Sequence, residues 1–312
     1  MTGAAVLVIG ESLMDVVRSP AGIDEHPGGS PMNVSVGLAR LGSEVRLLTR
    51  IGTDARGAVI ADYLATAGVP LVPGSIVEGR TSTATATLDE GGSATYEFVI
   101  DWSLDSEALP LGGNGYGSAI VHTGSIAAFL EPGASQLESI LEGAAARQAL
   151  ITVDPNIRPS IIGSKAASLA VVERLASLAT VVKMSDEDAL WLFGRLSADE
   201  AADRLLALGA TLAIITRGAS GAVLATARDR VRVPGRPVTV ADTIGAGDSF
   251  MSAVVYKISE LLDSGVDAAT IADGSALGAA VLAEIGGFAV ACAAITVSRP
   301  GANPPTLAEV HA

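Results

Sequence analysis

A layered α/β fold, with a mainly parallel sheet covered by helices and a small β-sheet lid, is predicted by three observations. From about residue 118 onward, short β-rich runs alternate with longer helical patterns, which is the rhythm of βαβ units. Apolar residues make up 49% of the 312 and aromatics only 4%, with 35 Gly among them, a composition that suits strands and helices packed across short turns. The N-terminal third is different, because it carries two β-rich runs that read as a hairpin.

The elements follow in order. Residues 4–9 are apolar with no basic residue before them, so they read as a first strand rather than a signal peptide. Residues 81–88 and 94–100 are joined by Asp89-Glu90-Gly91-Gly92-Ser93. Thr81, Thr83, Thr85 and Thr87 give the first run one polar face, as expected of a sheet that leaves the core to lie over a cleft. Residues 119–122, 151–153, 180–182 and 212–216 are the strand candidates of the main sheet. Between them, residues 135–146 and 198–208 place Leu, Ile and Ala at helical spacing. Residues 276–297 are long and apolar enough to resemble a membrane span. Glu284 near the middle and Gly286-Gly287 argue instead for two shorter buried helices. No repeat or linker divides the chain, so one domain spans 1–312, with its lid built mainly from about 11–27 and 78–104.

A net charge of −14 without a Lys/Arg cluster excludes nucleic acid as a partner. The same charge repels a nucleotide, so a nucleotide site must supply backbone N–H groups and a divalent cation. The single cysteine, Cys292, excludes an intrachain disulfide, and His26, His122 and His311 have no metal-ligand spacing. A cytoplasmic location and no membrane partner are expected.

The run Asp242-Thr243-Ile244-Gly245-Ala246-Gly247-Asp248-Ser249-Phe250 concentrates the chemistry. Its glycines free the backbone to turn N–H groups inward, and helical periodicity continues from Ser249. An uncapped helix start stabilises an anion such as a transferring phosphoryl group, and Asp248 could take the proton of an attacking hydroxyl. Equally, Asp248 could be a helix cap. Gly245-x-Gly247 matches half of a dinucleotide fingerprint, but Phe250 stands where the third glycine belongs, and no G-x-x-x-x-G-K-[ST] occurs. Near the N-terminus, Gly28-Gly29 permits close backbone approach, Ser30-Pro31 begins a helix, and Asn33 offers both a donor and an acceptor. Alone, that segment also fits an ordinary glycine turn before a capped helix.

Together, and about 210 residues apart, these segments resemble the two signatures of the ribokinase-like (phosphofructokinase B) carbohydrate kinases. The resemblance covers nearly the whole chain and implies a three-layer α/β sandwich. It also implies ATP and Mg²⁺ as cofactors, with a monovalent cation such as K⁺ allowed, and a small-molecule sugar as partner, with a homodimer as one assembly the family permits. By the same resemblance, Gly10-Glu11-Ser12-Leu13-Met14-Asp15 ends in a sugar-binding Asp15. Gly28, Gly29, Asn33 and Phe98 complete the substrate set. Asp154-Pro155-Asn156-Ile157-Arg158-Pro159 looks like the fructokinase and 2-keto-3-deoxygluconate kinase branches. In it Arg158 could meet a phosphate or substrate oxygen with both prongs of its guanidinium. His122-Thr123-Gly124-Ser125 and Arg299-Pro300-Gly301-Ala302-Asn303-Pro304-Pro305 also resemble fructokinases.

For the nucleotide, Thr216, Arg217, Gly218 and Gly221 lie in a segment similar to the family's ATP-holding strand-turn. The residues also read as a plain hairpin. Lys183-Met184-Ser185-Asp186-Glu187-Asp188 aligns with a family stretch written N-x-x-E. Ser185 replaces its Asn and Asp188 its Glu, so Asp188 is expected to act on Mg²⁺ only through water and no direct metal ligand is assigned. The resulting expectation is in-line phosphoryl transfer to a sugar hydroxymethyl group. Asp248 is the base, the backbone of Gly245, Ala246 and Gly247 is the anion hole, and Arg158 adds positive charge. Fructose is the expected acceptor and 2-keto-3-deoxygluconate the alternative. A catalytically silent sugar-binding protein and a Rossmann-type dehydrogenase are the readings from other classes.

Overall fold

The computed structural model describes residues 4–20, 22–88, 94–104 and 119–312. Its N-terminal part runs β1 (Val6–Ile9), β2 (Leu13–Ser19), β3 (Gly22–Gly28), α1 (Ser30–Leu41), β4 (Val45–Leu48), β5 (Ile51–Gly52), α2 (Ala55–Thr66), β6 (Ile76–Val77), β7 (Thr83–Leu88) and β8 (Ala94–Val99). There follow β9 (Ile120–Gly124), α3 (Gly133–Ala146), β10 (Leu150–Asp154), α4 (Lys165–Leu178), β11 (Val181–Ser185), α5 (Asp186–Phe193), α6 (Ala198–Ala207) and β12 (Leu212–Thr216). The chain ends with β13 (Ala222–Ala225), β14 (Arg230–Val233), α7 (Ala246–Asp263), α8 (Ala268–Ala272), α9 (Ala279–Val297) and α10 (Leu307–His311).

Eight strands form the central sheet in the order β14-β13-β12-β11-β10-β9-β1-β4. Pairing is parallel from β4 to β12 and antiparallel at β13 and β14. Side-chain alternation sorts the strands between two cores. Val6 and Val8 pack with residues of α1, α2, α7 and α9 on one face, while Leu7 and Ile9 pack with α3, α4, α5 and α6 on the other. The expected three-layer α/β sandwich is therefore the observed one. Each strand candidate of the main sheet is a strand, its ends displaced by three residues or fewer.

A second sheet, β3-β2-β7-β8, stands apart from the first. β7 and β8 pair antiparallel, as the hairpin reading required; the connecting 89–93 lies outside the described residues. One expectation is reversed here. The threonine face of β7 does not look out over a cleft: Thr83 and Thr85 are buried on the same face as Met14 and Val16. Thr81, just before the strand, donates to Asp54 Oδ1 at 2.6 Å, at the start of α2. Threonine suits this site because its methyl packs while its hydroxyl finds a partner.

The 276–297 stretch also departs from expectation. Gly286-Gly287 does not divide it, and α9 runs unbroken through both glycines. A Cβ at Gly286 would stand 2.7 Å from both Leu224 Cδ1 and Val233 Cγ2, so this glycine permits close approach to the sheet rather than ending the helix. Among the described residues α9 is the one helix long and apolar enough to cross a bilayer, and about half of it is buried inside the protein. Its Glu284 lies on the exposed side, paired with Lys257 at 2.6 Å.

Candidate active site

Two helix starts meet at Asp248. α7 begins after Gly245, whose φ of +74° is left-handed and whose Cβ, if present, would stand 2.6 Å from Ala302 Cβ. Both conditions select glycine. α1 begins after Gly29, at φ +116°, where a Cβ would fall 2.5 Å from the Glu11 carbonyl oxygen. Neither helix has a side chain capping its start. Asp248 is in the first turn of α7 and caps nothing. Its Oδ1 accepts from Ser30 Oγ at 2.6 Å and its Oδ2 from Asn33 Nδ2 at 2.8 Å. Burial raises its pKa, against the hydrogen bonds from Ser30 and Asn33; the charge of Asp154 raises it further and that of Lys183 lowers it. A carboxylate so placed is more basic than one in water and is held in a fixed direction.

Asp242 does a different task in the same segment. It accepts from Ile244 N at 3.0 Å and Gly301 N at 2.9 Å, bonds that lower its pKa and bind the turn to the chain near the C-terminal end.

Beside the α7 start lies a charge pair that sequence reasoning missed. Lys183 Nζ donates to Asp154 Oδ2 at 2.7 Å with both side chains buried. A Cβ at Gly247 would stand 3.0 Å from the same Nζ. Positive charge is therefore fixed against the first turn of α7. The signal was present, because Lys183 interrupts the apolar run Val181-Val182-Lys183-Met184 at a position where the strand is buried on both faces. Ser30 was read only as a helix start, yet its hydroxyl holds Asp248. Glu11, 3% exposed, was passed over inside a longer motif.

The remaining candidates divide. Asp15 projects from β2 against Gly28, where a Cβ would stand 2.0 Å from its Oδ2. Its pKa is raised by desolvation, against the pull of neighbouring His26. Phe98 on β8 pairs across to Ala84, and Ala84 to Asp15, so the three share the lid face opposite the buried threonines. Thr216 is the register partner of Ser185 on adjoining strands. Arg217, Gly218 and Gly221 form the turn into β13, with Arg217 N donating to Gly221 O at 2.7 Å, and β12 and β13 pair antiparallel as the hairpin reading expected.

Two further candidates already have contacts within the chain. The Arg158 guanidinium lies over its own loop, with Nη1 donating to the Ile157 carbonyl at 3.0 Å. Its charge reaches Asp188 only at a distance. The Ser185 hydroxyl accepts from Asp188 N at 3.0 Å and caps α5. Asp188 itself is buried and its pKa is raised, first by desolvation and then by Asp154.

A family model described as pfkB family carbohydrate kinase matches residues 4–309. A fructokinase of Rhizobium leguminosarum bv. trifolii is 33% identical over 262 residues, 81% of this chain and 79% of that protein. Among solved structures, a Xylella fastidiosa fructokinase with bound ATP superposes with a TM-score of 0.84 at 27% identity, covering 99% of this chain and 97% of that one. A Vibrio cholerae O395 fructokinase double mutant with fructose, ADP and potassium ion superposes with a TM-score of 0.82 at 26% identity, covering 99% and 98%.

Proposed function

The chain belongs to the pfkB family of carbohydrate kinases, and from that premise we propose that it is an ATP-dependent fructokinase with Asp248 as general base. That it is a sugar kinase follows from the family; the acceptor and the residue roles are the reading offered here. The observation that carries it is the aim of Asp248, held by Ser30 and Asn33 of one helix start while forming the first turn of another.

In the proposed reaction a hydroxymethyl oxygen of the sugar attacks the γ-phosphorus of ATP in line. Its proton passes to the Asp248 carboxylate, the new P–O bond forms, and the bond to the β-phosphate oxygen breaks to release ADP. The N–H groups of Gly247 and Asp248 face the charge that develops on the transferring group, and Lys183 stands beside them. Asp15, Gly28, Gly29, Asn33 and Phe98 hold the sugar. Thr216, Arg217, Gly218 and Gly221 hold the nucleotide.

Among the described residues no three His, Cys, Asp or Glu side chains converge. A divalent cation arriving with the nucleotide fits such a site if phosphate oxygens and water supply most of its ligands, with Asp188 reaching it through water. When bound, it supplies charge neutralisation to the phosphates.

The four-stranded sheet acts as a lid that excludes water from the reacting groups. Bound sugar and nucleotide should slow proteolysis of the β7–β8 hairpin, and unchanged cleavage would count against closure.

The test of the acceptor is kcat/KM for ATP-dependent phosphorylation of fructose, 2-keto-3-deoxygluconate, ribose, tagatose 6-phosphate and adenosine, each in potassium and in sodium buffer. Fructose should lead. A larger value for 2-keto-3-deoxygluconate would move the chain to the alternative branch, and no turnover on any of them would end the proposal.

A further inference from the structure

We propose that Glu11 is a positioning residue that fixes the root of the lid relative to the catalytic base, by sharing one residue, Ala127, with Trp102. Glu11 immediately precedes Ser12 and Leu13, where the first lid strand, β2, leaves the core. Trp102 follows the last lid strand, β8, three residues beyond its end. The two side chains meet on opposite sides of a single peptide segment. Ala127 N donates to Glu11 Oε2 at 3.1 Å, and the Ala127 carbonyl accepts from Trp102 Nε1 at 2.9 Å.

The segment they hold is the short helical turn Ser125–Ala128, which opens on Ser125 at φ +55°. A non-glycine residue in that region is kept there by its surroundings, and Ser125 also hydrogen-bonds the Glu11 carboxyl. Glu11 and Trp102 are both buried, at 3% exposure. The backbone of Glu11 meanwhile reaches the other substrate-facing element, since its carbonyl oxygen occupies the space a Cβ on Gly29 would need. Gly29 starts the helix that carries Ser30 and Asn33 to Asp248. One residue thus holds, through its side chain, the turn that Trp102 also holds, and meets the start of the helix carrying Ser30 and Asn33 through its backbone.

The neighbouring attachments show why this one matters. Where the lid leaves the core, Ser82 and Asp101 are tied to each other, Asp101 N donating to Ser82 Oγ at 3.0 Å, and Met14 N donates to Ser82 O at 2.9 Å. Those bonds join lid strand to lid strand. The Glu11–Ala127–Trp102 chain instead joins the lid root to the central sheet at the end of β9. Burial lifts the Glu11 carboxyl to about pH 7, so its hydrogen-bonding role does not require a full charge and an amide can stand in for it.

The inference rests on the reading of the four-stranded sheet as a lid, and the experiment separates the two. Trp191 is replaced by phenylalanine so that Trp102 is the sole indole. Its emission is then followed as the phosphorylated sugar is added, alongside kcat and KM for that sugar. Glu11→Leu should raise KM at least about tenfold while kcat stays within about threefold, and should abolish the sugar-dependent change in emission. Glu11→Gln, which keeps the acceptor for Ala127 N, should restore most of both. Trp102→Phe, which keeps the ring and loses the N–H, should raise KM in the same way and serves if Glu11→Leu does not fold. A wild-type chain whose Trp102 emission ignores the sugar it phosphorylates would overturn the lid reading and this inference together. A responsive wild type, with Glu11→Leu or Trp102→Phe keeping its KM, would overturn the inference alone.

Discussion

Helices α5 and α7 both open beside the last residues of β11, and they are finished in opposite ways. The start of α5 takes its cap from Ser185 and carries Asp186, Glu187 and Asp188 in its first turn. Its Asp188 N–H is satisfied by the cap and its dipole is met by its own carboxylates. The start of α7 has a left-handed glycine for a cap, no capping side chain, and the Lys183 ammonium beside it. One end is closed to anions and the other is left open. In the proposed reaction the transferring phosphoryl group would complete the open α7 start during turnover.

The largest expected effect is at the open end. Asp248→Asn should lower kcat by about 10²–10⁴-fold with sugar binding retained by calorimetry. A near-normal kcat would remove Asp248 from its role and make the open end merely structural. Next, Lys183→Met leaves Asp154 buried without its counter-ion and should cost about 3–5 kcal/mol in urea unfolding. A loss below about 1 kcal/mol would mean that Asp154 finds another partner and that the open end does not depend on this charge.

The open side also concentrates buried carboxyls, and Glu11 gives it a pH signature. Folding raises the Glu11 pKa from 4.5 to about 7 through desolvation, against hydrogen bonds from Ser125 and Ala127. The native state therefore binds that proton more tightly than the unfolded chain. Its contribution is full below pH 4.5 and is lost as pH rises through about 7, a change of about 3 kcal/mol. Glu11→Gln, which cannot ionise, should escape this loss, so the stability difference between the two chains should shift in favour of the variant between pH 5 and pH 8. A difference independent of pH would place the Glu11 ionisation elsewhere.

Smaller effects sharpen the contrast. Gly247→Ala sets a methyl group 3.0 Å from Lys183 Nζ and should lower kcat/KM for ATP about tenfold while leaving sugar binding intact. At the closed end, Ser185→Ala should cost about 1 kcal/mol of stability in thermal unfolding and little nucleotide affinity. A tenfold rise in KM for ATP in that variant would show that Ser185 serves the nucleotide as well as the cap, and the two ends would no longer be opposites.

What was legible in the chain follows the range over which each signal acts. Strand alternation, the positive-φ glycines at 29 and 245 and the helix starts after them are local, and each was readable from a few neighbours. Ser30 and Asp248 are 218 residues apart and Lys183 and Asp154 are 29 apart; no local window contains either pair. The threonine face of β7 was misassigned because alternation tells which residues share a face but not which face is covered. Gly286 and Gly287 were taken for a break because glycine weakens an isolated helix, whereas α9 is stabilised by what packs against it.

The sequence by itself determined the layered α/β class, the lid hairpin, the open turn at Gly245 to Asp248 and the family whose signatures those residues spell. These depend on periodicity and on backbone conformations that few residue types permit. Only the tertiary structure decided that Asp248 is a held acceptor rather than a helix cap, that Arg158 lies over its own loop, that Lys183 stands against the first turn of α7, and that Glu11 and Trp102 converge on Ala127. Each of these is a distance between segments remote in the chain, and such distances exist only once the two cores have packed and brought the strand ends together.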